Sequence, residues 1–277
     1  MKRPLVVALV TVLVVAGLGV AGWFGYRFVY ERITPEVCHV QLSDHGRLLS
    51  LSPAQARNAS IIVAASVERG LPEQAAVIAL ATAYQESGLR NLDYGDRDSL
   101  GLFQQRPSYG WGTPEQLMDP WYASHRFYEE LVKFTDWETT DVNDIAQKVQ
   151  RSGHPEAYRK HEGNSRAVAA TLRGAKPASL GCVSFEADAS PDSADLDKAL
   201  GAFGAALSVE RTDGGLRITA TDEASAWAAA HHVVANSYAA AVTRVQLGTH
   251  VWEPESRDWI ESDSRDSGLT VLVTFAG

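Results

Sequence analysis

Residues Glu73 to Gly88 form an apolar, alanine-rich run, and their spacing predicts a helix. Ile78, Thr82 and Glu86 recur at i, i+4 and i+8, so Glu86 lies on or beside the face that carries Ile78. Gly88 follows two residues later, where a helix C-terminal cap belongs. A carboxyl at the end of a buried helix is partly dehydrated. Dehydration disfavours the charged form and raises the pKa, as a general acid working near neutral pH requires. The plain alternative is an exposed glutamate at a helix end, the usual place for that residue type.

The segment after Glu86-Ser87-Gly88 sharpens the choice. A polar loop leads to Gly101-Leu102-Phe103-Gln104. Glu-Ser, a loop, then Gly-Leu-(Met or Phe)-Gln resembles the lysozyme-like fold, specifically the soluble lytic transglycosylase and goose-type lysozyme group. The resemblance extends through Leu117-Met118-Asp119-Pro120 and fades after about Gly174. It implies a helical domain that cleaves peptidoglycan strands between N-acetylmuramic acid and N-acetylglucosamine, with no cofactor. Glu86 would be the catalytic acid and Gln104 would hydrogen-bond the glycan. Gly101 would let the backbone approach closely, and Phe103 completes the match. A Tyr-Asn-Ala-Gly segment of the transglycosylases is replaced here by Val149-Gln150-Arg151-Ser152-Gly153. Gln150, or Tyr158 on the following helix, is the candidate substitute for its tyrosine. Asp98 matches loosely the second carboxylate with which goose-type lysozymes position water.

Other residues bear on the same site. Tyr109 and Trp111 make an aromatic, glycine-flanked loop that suits either a glycan wall or core packing. The loop with Asp93, Asp96 and Asp98 lacks the spacing of a calcium loop. His154 and His161 lack a third ligand, and no Cys-x-x-Cys occurs, so no metal is expected.

Charge excludes some partners. The formal net charge of −9 falls entirely after Cys182, the chain up to that point being neutral. A neutral front and an acidic back argue against nucleic acid, which needs a basic face. Leu5 to Gly25 is apolar and uncharged, about the length that spans a bilayer. It predicts a single-pass membrane anchor with the bulk of the chain extracytoplasmic. The alternative is a signal peptide cleaved near Gly19-Val20-Ala21. Cys38 and Cys182 flank the lysozyme-like region; in an oxidising compartment they would pair, and two buried free thiols are the alternative.

The expected fold class is α+β: an N-terminal transmembrane helix, an all-α lysozyme-like domain and a small C-terminal α+β domain with the order α-β-β-α-β-β. The expected boundaries are an anchor over 1–25, a juxtamembrane linker over 26–51, the lysozyme-like domain over 52–182, a linker over 183–194 and the small domain over 195–277. Trp252 and Trp259 in the last segment suit either a core or a binding lip, and the sequence names no protein partner for it. Lytic transglycosylase is the first reading because it needs one glutamate. A water-using lysozyme and a non-catalytic wall-binding or assembly module are the alternatives.

Overall fold

The computed structural model describes residues 12–13, 15–20, 22–25, 36–42, 46–151, 156–184, 190–263 and 268–276. The chain divides into two units, 1–36 and 37–277. In the first, residues 12–13, 15–20 and 22–25 are helical; the rest of the apolar run, and residues 26–35 of the expected linker, lie outside the described residues. A span needs about 20 consecutive apolar helical residues, and among the described residues no helix is long and apolar enough to cross a membrane. This corrects the expected transmembrane helix, and with it the single-pass membrane location.

In the second unit, α1 (Pro53–Glu68) starts at a reciprocal cap. Ser52 Oγ accepts from Gln55 N–H, and Gln55 Oε1 accepts from Ser52 N–H. Two orphan donors are thereby satisfied, and Pro53 needs none. α2 (Glu73–Ser87) ends at Gly88, whose φ of 65° is the left-handed conformation that favours glycine. Every residue from Ala75 to Ala83 is buried, so α2 is apolar on all sides. Around it pack α1, α4 (Pro120–Leu131), α5 (Val142–Gln150) and α6 (Glu162–Leu172). The short α3 (Pro114–Leu117) precedes α4. The alanines of α2 let these neighbours approach from every direction.

The helical region is not all-α. Val37–Gln41 (β1), Leu48–Leu51 (β2) and Leu180–Val183 (β3) form an antiparallel sheet in the order β2-β1-β3. β1 and β2 thus fall inside the stretch expected to be linker. Cys38 and Cys182 stand directly opposite each other, with Cα atoms 3.9 Å apart, and form a disulfide. The bond joins the start of the helical region to its end.

The expected α-β-β-α-β-β order is also corrected, because the second sheet has six strands. Ala194–Gly201 (α7) leads to Leu207–Thr212 (β4) and Gly215–Ala220 (β5), then to Glu223–Ala235 (α8). Val242–Leu247 (β6), His250–Trp252 (β7), Ile260–Glu261 (β8) and Thr270–Phe275 (β9) follow. The strand order is β4-β5-β9-β6-β7-β8, all neighbours antiparallel, with the last strand inserted at the centre. Val271 and Val273 alternate into the core as period two requires. α8 packs against β5, β6 and β9, and also against α1, α6 and β3. The contact is close enough that a Cβ on Gly174 would sit 1.8 Å from the Ala224 carbonyl oxygen.

Polar groups complete this packing. His231 Nδ1 lies 2.8 Å from Thr171 O, and His231 Nε2 accepts from Ser179 N–H at 3.2 Å. A carbonyl only accepts, so Nδ1 carries the proton and the ring is neutral. Asp195 on α7 accepts from Arg57 Nε on α1 and from Trp121 Nε1 on α4. Trp252 is fully buried, and Trp259 Nε1 donates to Leu180 O while its ring meets Trp227 edge-on. Both tryptophans belong to the packing rather than to a binding lip.

Candidate active site

The site is built around the end of α2. Gly88 N–H donates to Tyr84 O and Leu89 N–H to Ala83 O, closing the helix C-terminus. α1 holds the turn from outside: Gln55 Nε2 donates to Gly88 O and Asn58 Nδ2 to Leu89 O. Glu86, two residues before this cap and in the last turn of α2, is half-buried.

Ser87 connects the two motifs. Its hydroxyl lies 3.0 Å from Ala83 O and 2.7 Å from Leu102 O, so the Gly101–Gln104 segment is fastened to the residue next to Glu86. The segment has further ties. Gly101 N–H donates to Leu92 O, and Leu100 and Gln105 exchange both backbone hydrogen bonds. A Cβ on Gly101, where φ is 77°, would sit 2.2 Å from Leu117 O. The glycine therefore makes room for a neighbouring carbonyl of this chain.

Phe103 is fully buried and stacks on Phe127 with ring centroids 4.8 Å apart. Its backbone carbonyl accepts from Gln150 Nε2 at the end of α5, at 2.7 Å. Gln104 is half-buried; its Nε2 lies 3.2 Å from Gly101 O and 3.3 Å from Tyr94 O, so its amide binds its own loop. A Cβ on Gly95 would collide with the Gln104 side-chain oxygen.

Tyr158 is fully buried, and its hydroxyl donates to Glu86 Oε1 at 2.7 Å. The other candidate for the missing tyrosine, Gln150, reaches the same neighbourhood through Phe103 O. Residues 152–155, including His154, lie outside the described residues. His161 follows on the same turn as Tyr158; its Nε2 contacts Gln85 Oε1 at 3.2 Å and its ring stacks on Tyr84. Burial holds the His161 pKa below its ordinary value, with nearby Lys160 adding to the effect. Burial also pushes the Tyr84 hydroxyl up to about 12.

Asp98 sits in a different environment. Its oxygens accept from Arg106 Nε at 2.8 Å, Ser108 N–H at 2.8 Å and Ser108 Oγ at 3.0 Å. The Arg106 hydrogen bond, followed by those from Ser108, holds the carboxyl well below the usual carboxylate range. Asp98 thereby clamps the turn Pro107–Tyr109, and the Arg106 guanidinium lies 4.2 Å from the centre of the Tyr109 ring. Tyr109 and Tyr94 are exposed, at 60% and 65%. Trp111 is half-buried against the core, with Arg126 over its ring. Among the described residues no group of three His, Cys, Asp or Glu side chains is placed to hold a metal ion.

Two contributions are shown by the fold alone. Asn143, in the first turn of α5, accepts from the backbone N–H groups of Tyr158 and Arg159. Ser87 belongs to the Glu-Ser-Gly motif, but only the fold shows that it bonds Leu102. No protein-family model matches the chain, and no curated protein matches it.

Proposed function

We propose that this chain cleaves the N-acetylmuramic acid–N-acetylglucosamine bond of peptidoglycan as a lytic transglycosylase, with Glu86 as general acid and then general base. The observation that carries the reading is the Tyr158–Glu86 hydrogen bond at the end of a helix fastened, through Ser87, to the Gly101–Gln104 segment. A phenol donating to Oε1 occupies that oxygen as an acceptor and directs the carboxyl proton to Oε2. Glu86 gives this proton to the glycosidic oxygen as the C–O bond breaks. The N-acetyl carbonyl of the substrate stabilises the oxocarbenium-like carbon, as in substrate-assisted glycosidases. The Glu86 carboxylate then takes the proton of the sugar's own 6-hydroxyl, whose oxygen bonds the anomeric carbon. The product is a 1,6-anhydro sugar, and Glu86 ends protonated.

The hydrolytic alternative needs a second carboxylate to place water. Asp98 is engaged by Arg106 and Ser108, which favours the reaction that uses the sugar's own hydroxyl. Glu86→Gln tests the reading. It preserves shape and removes the proton donor, so release of muropeptides should fall by about 10²–10⁴-fold. Mass spectrometry of the wild-type digest should find ends one water lighter than reducing ends. Equal release by both proteins, or none by either on several wall preparations, removes the enzyme reading and leaves the wall-binding module.

A further inference from the structure

The hydroxyl that meets Glu86 belongs to a side chain whose backbone is held from another helix, and this pinning assigns a task to a residue far from the motifs. Tyr158 and Arg159 open the run that continues through the turn Arg159–His161 into α6. The first N–H groups of such a run have no partner within it. Asn143 Oδ1 accepts both, from Tyr158 N at 3.1 Å and Arg159 N at 3.2 Å. A carbonyl-type oxygen has two lone pairs, so these two donors fill it. Asn143 is itself fixed: it is 1% exposed, its N–H donates to the α5 cap Asp141, and its Nδ2 donates to Asp144. Arg159 pairs with Asp141 at 3.0 Å, which ties the same turn to the same helix start. At the far end of the turn, His161 meets Gln85.

We infer that Asn143 is a positioning residue for the candidate acid: by capping Tyr158 and Arg159 it sets the Tyr158 hydroxyl against Glu86 Oε1. The inference rests on the reading of Glu86 as the acid, but its physical content is a hydrogen-bond relay from α5 through Tyr158 to α2. A relay of this kind acts on the charge of Glu86. A donor to a carboxylate favours its ionised form, so losing the donor raises the pKa. Among the described residues, hydrogen bonds connect Asn143 to Glu86 through Tyr158, which is the path the test follows.

The test uses the whole chain labelled with carbon-13 at glutamate side-chain carboxyls, with the Glu86 signal assigned by its absence in Glu86→Gln. Tyr158→Phe should raise the Glu86 titration midpoint by about one pH unit, the size expected for one hydrogen bond to a charged group that water partly replaces. Asn143→Ala should move the midpoint in the same direction, by most of that amount. An unchanged midpoint in Tyr158→Phe, or in a folded Asn143→Ala, overturns the inference. If Asn143→Ala does not fold, amide hydrogen exchange in the wild type decides. The Tyr158 and Arg159 amides should be protected, and exchange at the rate of open chain overturns the relay. None of these readouts uses substrate. Their failure leaves the Glu86→Gln turnover test intact, and failure of turnover leaves them intact.

Discussion

Lowering the pH from 8 to 5 should weaken the fold through His231, and the size of the loss follows from its surroundings. The ring is fully buried between α8, the end of α6 and the approach to β3, with Nδ1–H on Thr171 O and Nε2 accepting from Ser179 N–H. A second proton at Nε2 would remove that acceptor and bury a charge. Burial accordingly holds the folded-state pKa down at about 4, against the ordinary histidine value of about 6.5. The folded state therefore refuses a proton that the unfolded chain accepts below about pH 6.5. Stability is intact above the unfolded value, falls as pH drops through 6.5, and stops falling from this source below about 4. By linkage, the ratio of the two binding polynomials gives a loss of about 2 kcal/mol for His231 between pH 8 and pH 5. The neighbouring His232 lies on the same helix, and burial lowers its pKa too, to about 3, so the pair acts in one direction. Urea unfolding at pH 8, 7, 6 and 5 measures the effect in the wild type and in His231→Gln. The variant has its own baseline stability; the informative quantity is its slope with pH, which should be shallower by the His231 share. Identical slopes would refute the reasoning, since the buried neutral ring would then contribute nothing to proton linkage.

Two further outcomes can be read with standard assays. Reducing the Cys38–Cys182 bond, or replacing both residues by serine, should lower stability by about 5 kcal/mol on the chain-entropy model for a closure spanning 144 residues; thiol labelling of the denatured, non-reduced protein should find no free cysteine, and an unchanged melting temperature on reduction would count against the clamp. Asp98→Asn should raise KM more than it lowers kcat on purified glycan strands, because it loosens the turn that presents Tyr109 while leaving Glu86 and Tyr158 in place; a fall confined to kcat would return Asp98 to the role of second carboxylate.

The parts of the molecule that local chemistry encodes were readable in advance. The Ser52–Gln55 cap, the Gly88 stop and the alternation in β9 depend on neighbours within a few residues, and each appears where its signal stands. The three-stranded sheet was missed because its strands are only four or five residues long, and β3 pairs with β1 across more than a hundred residues. β3 also follows Lys176-Pro177-Ala178-Ser179, which has the composition of a hinge. The apolar run near the N-terminus suggests a span by hydropathy, whereas among the described residues no helix is long and apolar enough to cross a membrane. At the site, residue types were visible but pairings were not. Tyr158 was a candidate because of a gap elsewhere in the motif, whereas its link to Asn143 comes from two backbone amides that no side-chain pattern marks.

The two candidate carboxylates differ in the donors that meet them. Asp98 meets a guanidinium and two further donors, and each favours the ionised form, so protonating it near neutral pH would give up a charge-assisted pair. Glu86 meets a phenol, which is neutral at the same pH and donates one hydrogen bond. Such a donor orients a carboxyl with a smaller bias toward either protonation state than a cation exerts. A group that must release a proton to a leaving oxygen and recover one from a hydroxyl within a single turnover needs that weaker bias, because each half of the cycle reverses the other. On that ground the proposed acid–base role is given to Glu86 rather than Asp98, whose hydrogen bonds order the loop around Arg106 and Ser108.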